Sequence, residues 1–254
     1  MKAAYWEEAY RLRSYEVDFQ NRLRLSALFH FMQETASNQI KRQGVGIDVL
    51  RTDNLAWVLS RLLIVMDRFP GVGEEILVKT WPRGIERLFA LREFLITGRQ
   101  GEVLGRVTSN WLLVDLTTRR PKRLEGVFQR MPIDPGIHAL ERRLEKLLPL
   151  ESPEEALTVR AAYQQIDLNR HVNNAHYVSW ILNSFPLESY QRNRLAGLQI
   201  NFLSEIRFGE VLTICRERSG EGQGLSQGIE GRKDDGKTMA FQARLEWRED
   251  PVIS

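Results

Sequence analysis

One helical pattern followed by four strand patterns makes up the first half of the chain. Apolar residues recur at helical spacing between Leu28 and Ile40, which predicts a helix over residues 26–43 with one buried face. Ser26 is a suitable N-cap, and the glycines at 44 and 46 are suited to end the helix. Runs rich in β-branched and aromatic residues, separated by short turns, then predict strands over 54–69, 74–83, 86–99 and 102–117.

The second half repeats this order. Residues 118–156 are rich in proline and basic residues, and we interpret 121–155 as a linker with a short helix at 138–148. A strand is predicted at 156–166 and a helix at about 174–185. Further strands are predicted at 195–206, 210–219, 224–233 and 237–249. The predicted organisation is therefore a first domain at 1–120, the linker, and a second domain at 156–254.

The repeat extends to individual residues. YEVDFQNRLRLS in the first half and YQQIDLNRHVNN in the second align when Asp18 is placed on Asp167. This alignment puts Gln20 on Asn169 and Arg22 on His171. Residues needed only for folding are expected in both copies. Because the asparagine and the histidine occur in the second copy alone, we expect them to have a chemical purpose.

The second copy concentrates polar side chains where a strand pattern changes to a helical one. In an extended conformation, Asp167, Asn169 and His171 would project to the same side. A helix beginning near Asn173 and Asn174 would add N–H groups and the positive end of its dipole. This combination suits attack of water on a carbonyl. The alternative is that these are N-cap, turn and structural residues.

Composition and charge narrow the classes of partner. The chain has 254 residues, 43% of them hydrophobic, and a formal net charge of +3. This mild basicity favours an acidic or phosphate-bearing partner, and it is far below that of a dedicated nucleic-acid binder. The lone Cys215 excludes an internal disulfide, and no cysteine cluster or other ligand set suggests a metal. We expect a cytoplasmic protein without cofactor, metal, nucleic acid or membrane partner.

Several stretches resemble the acyl-ACP thioesterases, which act on fatty acyl chains carried by acyl carrier protein (ACP). The motif DLNRHVNN, followed by Tyr177 and Trp180, is similar to the signature of that family. So are KTWPRGIERLFALREF, TSNWLLVDLTTRRPKRL and INFLSEIRFGE, and the resemblance covers nearly the whole chain. It implies an α+β fold of two tandem hot-dog domains, each a bent antiparallel sheet wrapped around a long helix. It also implies hydrolysis of the acyl-ACP thioester in fatty acid metabolism.

The resemblance also assigns residues. The family's Asp-x-Asn-x-His is matched at Asp167, Asn169 and His171, and a family glutamate on the following strand is matched by Glu205. Plant members carry a cysteine after that glutamate, where this chain has Ile206, so attack by water is favoured over a thiol mechanism. We predict that the asparagine and histidine hold the thioester oxygen and the water, and that the glutamate is the general base. The aspartate would orient them, or be the base or attacking carboxylate itself.

Substrate contacts are predicted in both halves. Asn173 and Asn174 would contact the thioester at the helix start. The first half lacks the polar set and is a possible pocket for the acyl tail, where Trp57 and its strand at 54–69 would set chain length. TRRPKR at 118–123 is a candidate part of an ACP dock. Because a double hot-dog supplies two halves in one chain, we expect a monomer or a homodimer.

Three alternatives remain open. A hot-dog enoyl-thioester hydratase would use Asp-x-Asn-Pro-x-His, but His171 lies four residues after Asp167 and no proline follows Asn169. An acyl-CoA thioesterase would use the same site with a different carrier. A non-catalytic module that binds acyl chains or ACP would not need the complete polar set.

Overall fold

The chain divides into two compact units, residues 1–144 and 145–254, in a computed structural model that describes residues 5–124, 132–217 and 226–249. The boundary falls inside the predicted 121–155 linker, so each unit includes part of it. Residues 125–131 of that linker lie outside the described residues. So do residues 218–219 and 224–225, at the ends of two predicted strands.

The described residues of the first unit form an antiparallel sheet of five strands and two helices. Its strand order is β1-β3-β4-β5-β2. The strands are β1 (Trp6–Arg11), β2 (Leu55–Met66), β3 (Glu75–Glu86), β4 (Phe89–Gly98) and β5 (Val103–Asp115), and the helices are α1 (Leu25–Arg42) and α2 (Ile47–Thr52). The four predicted strands are confirmed, and β1 and α2 are additional.

The long helix α1 packs against β1 and β3. Its buried face includes Leu28, Phe29 and Met32, as the helical spacing of apolar residues predicts. The N-cap is Arg24, so the prediction for Ser26 is wrong, and no side chain caps this helix end. Gly44 has φ +79° just beyond the helix, the left-handed conformation that commonly terminates helices.

The second unit repeats the first. Its strand order is β7-β10-β9-β8-β6, so each strand has a counterpart in the first unit. The strands are β6 (Pro153–Arg160), β7 (Asn193–Phe202), β8 (Val211–Glu217), β9 (Ser226–Lys233) and β10 (Met239–Glu249), and the helices are α3 (Asn174–Asn183) and α4 (Leu187–Arg192). Strand β6 ends at Arg160 rather than 166, because Tyr163–Gln165 form a 3-10 turn. No helix in the described part of the chain is long and apolar enough to cross a membrane.

The helix predicted at 138–148 is not present. Backbone groups of this segment bind side chains of the sheets instead of each other. In the first unit, Glu93 Oε2 accepts the N–H of Ala139 at 3.2 Å. In the second unit, Gln199 donates to the carbonyl of Glu145 at 2.8 Å. These bonds hold the segment against the sheet of the unit to which each part of it belongs.

Candidate active site

The segment from Asp167 to His171 is a tight turn, so the prediction of an extended conformation is wrong. An isolated antiparallel bridge between Ile166 and Val172 closes the turn. Within it, the N–H of Asp167 donates to the carbonyl of His171 at 2.8 Å. Arg170 has φ +65°, a left-handed conformation that allows the chain to reverse. The side chains therefore do not project from one face of a strand.

The carboxylate of Asp167 stabilises this turn. Its Oδ1 accepts the backbone N–H of Asn169 at 2.8 Å. In the first unit, Oδ1 of Asp18 accepts the N–H groups of Gln20 and Arg22, each at 2.9 Å. An aspartate that makes equivalent bonds in both copies is a turn residue. The geometry supports an indirect orienting role for Asp167, through the backbone that carries Asn169 and His171.

The structure brings His171 and Glu205 together. The Nε2 atom of the imidazole lies 3.0 Å from Oε2 of the carboxylate, and the two side chains are 19% and 41% exposed. Glu205 lies on the loop after β7. The N–H of Val172 donates to the carbonyl of Ile206 in that loop at 2.8 Å, which fixes the turn beside it. The pair is partly open to solvent, so water and substrate can reach it.

Two supporting residues were not predicted. Lys233 Nζ donates to the backbone carbonyl of Glu205 at 2.8 Å and also binds Glu210 at 3.0 Å. The buried Tyr177 places its hydroxyl 3.4 Å from the carbonyl of Ser204. Burial raises the pKa of Tyr177, so its hydroxyl stays protonated and can donate. The tyrosine is visible in the sequence motif, whereas the lysine is distant in sequence and gave no local signal.

The start of α3 confirms the N-cap alternative for Asn173. Its Oδ1 accepts the N–H of Ala175 at 2.9 Å, and its own N–H donates to the carbonyl of Gln165 at 2.9 Å. Its side-chain oxygen is thus committed to capping. Asn174 is the first residue of the helix and is half-buried. Its predicted contact with substrate stays a prediction.

Trp57 belongs to a hydrophobic cluster of the first unit. The half-buried ring packs with buried Leu50, Ala90 and Leu113. Its Nε1–H is buried and has no hydrogen-bond partner within the described residues. The packing gives Trp57 a role in the core, and its proposed contact with an acyl tail stays a prediction.

The same pattern of backbone hydrogen bonds occurs in the first unit, without the asparagine, the histidine and the glutamate. We use "frame" for the turn and the loop bound to it, residues 166–172 with 205–210 and, in the first unit, 17–23 with 69–74. Val17 bridges Leu23, and the N–H of Leu23 donates to the carbonyl of Pro70 at 2.9 Å, as Val172 does to Ile206. Asn21 has φ +59°, close to the angle at Arg170.

When equivalent backbone hydrogen bonds of the two copies are matched, each residue of one turn is paired with a residue of the other. Asn169, His171 and Glu205 correspond to Gln20, Arg22 and Phe69. The backbone and the turn aspartate are retained, whereas these three side chains differ. Folding does not require an imidazole or a carboxylate at these positions, which supports the chemical interpretation of the second copy.

A pocket of about 450 Å³ lies next to the turn, lined by Tyr163, Gln164, Ile166, Asp167 and Phe208. Groups of three or more histidine, cysteine or acidic side chains able to hold a metal ion are absent from the described residues. The site therefore offers a histidine–carboxylate pair, an amide and a helix start for chemistry on a carbonyl.

Comparison with known families settles which family this frame belongs to. Residues 3–129 match the acyl-ACP thioesterase N-terminal domain, and residues 149–249 match the acyl-ACP thioesterase C-terminal domain. The chain belongs to the acyl-ACP thioesterase family. The resemblance found in the sequence is confirmed, and with it the tandem hot-dog fold.

Family members with curated names include plant enzymes. The acyl-[acyl-carrier-protein] hydrolase FATB2 of Cuphea viscosissima is 29% identical over 260 residues, covering 96% of this chain. The oleoyl-acyl carrier protein thioesterase 1 of Arabidopsis thaliana is 26% identical over 252 residues, covering 90% of it. The chain spans 62% of the length of the Cuphea protein and 69% of the Arabidopsis protein.

Solved structures of the family have the same fold. The crystal structure of an acyl-ACP thioesterase from Bacteroides thetaiotaomicron is 28% identical, with a TM-score of 0.87 over 96% of this chain and 98% of that one. The 12:0-ACP thioesterase from Umbellularia californica is 24% identical, with a TM-score of 0.82 over 98% and 99%. This second likeness concerns the fold alone.

Proposed function

We propose that this protein hydrolyses the thioester of fatty acyl-ACP, releasing a free fatty acid and holo-ACP. The observation that carries the proposal is the 3.0 Å contact between His171 and Glu205, held by a backbone frame whose other copy lacks both residues. Membership of the acyl-ACP thioesterase family supports the substrate class. The cytoplasmic location, the oligomeric state and the preferred chain length stay predictions.

In the proposed mechanism, Glu205 is the general base. Its carboxylate removes a proton from water as the water oxygen bonds to the thioester carbon. The carbon–sulfur bond then breaks, and the thiolate of the pantetheine arm takes up a proton to leave as the thiol. His171 holds the carboxylate in place through Nε2, 3.0 Å from Oε2.

The oxygen of the thioester becomes negatively charged when water attacks. Asn169 and the N–H groups at the start of α3 are the proposed donors to this oxyanion. One such donor is typically worth about 2.7–4 kcal/mol of transition-state stabilisation. The turn built on Asp167 carries both Asn169 and His171, and it places His171 3.0 Å from Glu205. The fixed positions of these groups explain why no strong side-chain nucleophile is required.

The test is thiol release from acyl-ACP of several chain lengths, with matched acyl-CoA substrates. We expect turnover of acyl-ACP by the wild type, and a loss of about 10²–10⁴-fold in His171→Ala and in Glu205→Gln. Arg22→Ala is the matched control, because it changes the equivalent position of the copy without the site. It should retain near-normal turnover.

Each outcome has a distinct meaning. Preference for acyl-CoA would change the carrier and leave the site as assigned. Near-normal turnover in Glu205→Gln would overturn the assignment of the base. Absence of thiol release from all substrates by folded wild-type protein would overturn the proposed activity and favour a binding module.

A further inference from the structure

Two exposed aromatic side chains lie beside the candidate site. Tyr163 is 84% exposed and Phe208 is 68% exposed, which is unusual for side chains that gain from burial. Both line the pocket of about 450 Å³, to which Asp167 also contributes. This apolar surface is therefore continuous with the turn that carries Asn169 and His171.

The first unit provides an internal comparison for this surface. Gly73 and Gly209 both have φ +83°, and they occupy the same position in the two frames. The residues equivalent to Tyr163, Arg207 and Phe208 are Ser14, Gly71 and Val72. The fold is thus made without the aromatic rings or the arginine. At these three positions the rings and the arginine occur only in the copy with the candidate catalytic residues, although the first unit exposes Tyr15 and Phe19 at neighbouring positions.

The charges around the pocket are positive on balance. Arg207 is exposed beside Phe208, and exposed Arg160 donates to the carbonyl of Gly209 at 3.0 Å on the same loop. Arg170 is exposed at the tip of the turn.

The acidic side chains nearby already have partners. Asp167 accepts the N–H of Asn169, and Glu205 lies 3.0 Å from His171. Glu210 binds Lys233 at 3.0 Å. Arg160, Arg170, Arg207 and Lys233 outnumber these three carboxylates, so the pocket edge has a small net positive charge around an apolar centre, which fits an acidic protein surface with a protruding apolar side chain.

We propose that Tyr163, Arg207 and Phe208, which we call the docking rim, form the surface on which ACP binds while its acyl thioester enters the site. This inference rests on the proposed function, since ACP is the acidic protein that must approach Glu205 and His171. The rim places the carrier at the same edge of the second unit as the reacting groups. It also separates recognition of the carrier from recognition of the thioester.

The test replaces rim residues in one triple variant, Tyr163→Ser, Phe208→Val and Arg207→Gln, of which the first two are the residues of the first unit. We would measure hydrolysis of acyl-ACP and of an acyl-N-acetylcysteamine thioester, which has no carrier and no phosphate. We expect kcat/KM for acyl-ACP to fall at least about tenfold, because interface anchors of this type commonly have effects of that size. Hydrolysis of the small thioester should be unchanged.

Two further measurements separate the docking rim from other basic surfaces: the dependence of kcat/KM on salt concentration, and a control variant that removes one charge elsewhere. Raising the salt concentration should reduce kcat/KM for acyl-ACP in the wild type and have a smaller effect in the triple variant. Arg120→Gln removes one charge from the basic segment at 118–123, the dock considered from the sequence. It should behave as the wild type. An equal or larger loss in Arg120→Gln than in the triple variant would place the dock there and overturn the rim.

Binding of holo-ACP, measured by calorimetry, separates failure of the rim from failure of the proposed function. If the wild type binds holo-ACP and the triple variant binds at least about tenfold more weakly, the rim stands even if no thioester is hydrolysed. The docking rim is refuted if both proteins bind holo-ACP equally. It is also refuted if the triple variant loses turnover of acyl-ACP and of the small thioester to the same extent. In either case the hydrolase assignment is decided separately, by the His171 and Glu205 variants.

Discussion

Asp167 offers the sharpest test of the site, because its sequence position suggests a catalytic carboxylate and its contacts indicate a turn residue. Asp167→Asn keeps an oxygen at Oδ1 that can still accept the N–H of Asn169, now 2.8 Å away. Asp167→Ala removes the acceptor. A hydrogen bond to a charged group contributes about 1.5–3 kcal/mol, and partial exposure reduces this to about 1 kcal/mol here.

The loss of about 1 kcal/mol sets the expected rates. If all of it appears as poorer positioning of His171, then kcat/KM falls about fivefold in Asp167→Ala, since 1.36 kcal/mol corresponds to tenfold. Asp167→Asn should stay within about twofold of the wild type. A general base or attacking carboxylate at this position would instead make the asparagine variant at least about a hundredfold slower.

The equivalent aspartate supplies the control. Asp18 accepts two backbone N–H groups at 2.9 Å, so Asp18→Ala should destabilise the protein by about 2 kcal/mol and leave kcat/KM unchanged. Thermal melting and thiol release from acyl-ACP measure the two effects, with about 2–4 °C expected per kcal/mol. A large loss of turnover in Asp167→Asn, with normal melting, would refute the structural interpretation of Asp167.

Three further predictions concern stability. Burial raises the pKa of Glu93, so the folded state retains the proton above the ordinary pKa of 4.5. The free energy of unfolding should therefore fall as the pH rises from 4.5 through the raised pKa. Glu93→Gln should flatten this dependence in thermal melts at several pH values. Asn173→Ala should lose about 1 kcal/mol in urea unfolding and Asn173→Asp little, because only the first removes the N-cap acceptor. Burial lowers the pKa of Arg92 to about 10, and Gln39 accepts a hydrogen bond from this guanidinium at 2.6 Å. Gln39→Leu should therefore lower the free energy of unfolding more than the double variant Gln39→Leu with Arg92→Leu, because the double variant leaves no buried charge without this partner.

Periodicity was sufficient for most of the fold. The helices predicted at 26–43 and 174–185 and the long strands are present because each buries one face and carries the corresponding spacing, as α1 does between Leu28 and Ile40. The six-residue helices α2 and α4 are too short to show a period. Strand β1, which alternates half-buried and exposed residues, is also short. The helix predicted at 138–148 is absent, and the segment instead contacts side chains of the sheets, which are long-range contacts that local spacing does not contain.

The sequence located the candidate site but did not predict its geometry. The comparison of the two copies singled out Asn169 and His171, and the family resemblance added Glu205. The alternation of polar residues at 167, 169 and 171 favoured a strand, whereas a bond between Asp167 and His171 turns the chain. The support from Lys233 depends on strand pairing within the sheet, which brings together residues far apart in sequence.

The frame shared by the two units has a consequence for the redesign of this chain. A backbone that occurs in both units, with the candidate histidine and glutamate in only one of them, is a scaffold into which these side chains could be introduced. Gln20→Asn, Arg22→His and Phe69→Glu would give the first unit the polar set of the second, on a turn that already has the required hydrogen bonds. Thioester hydrolysis by the first unit of this triple variant would show that the shared backbone and these three side chains are sufficient for activity. Its absence would show that other residues of the second unit are also required.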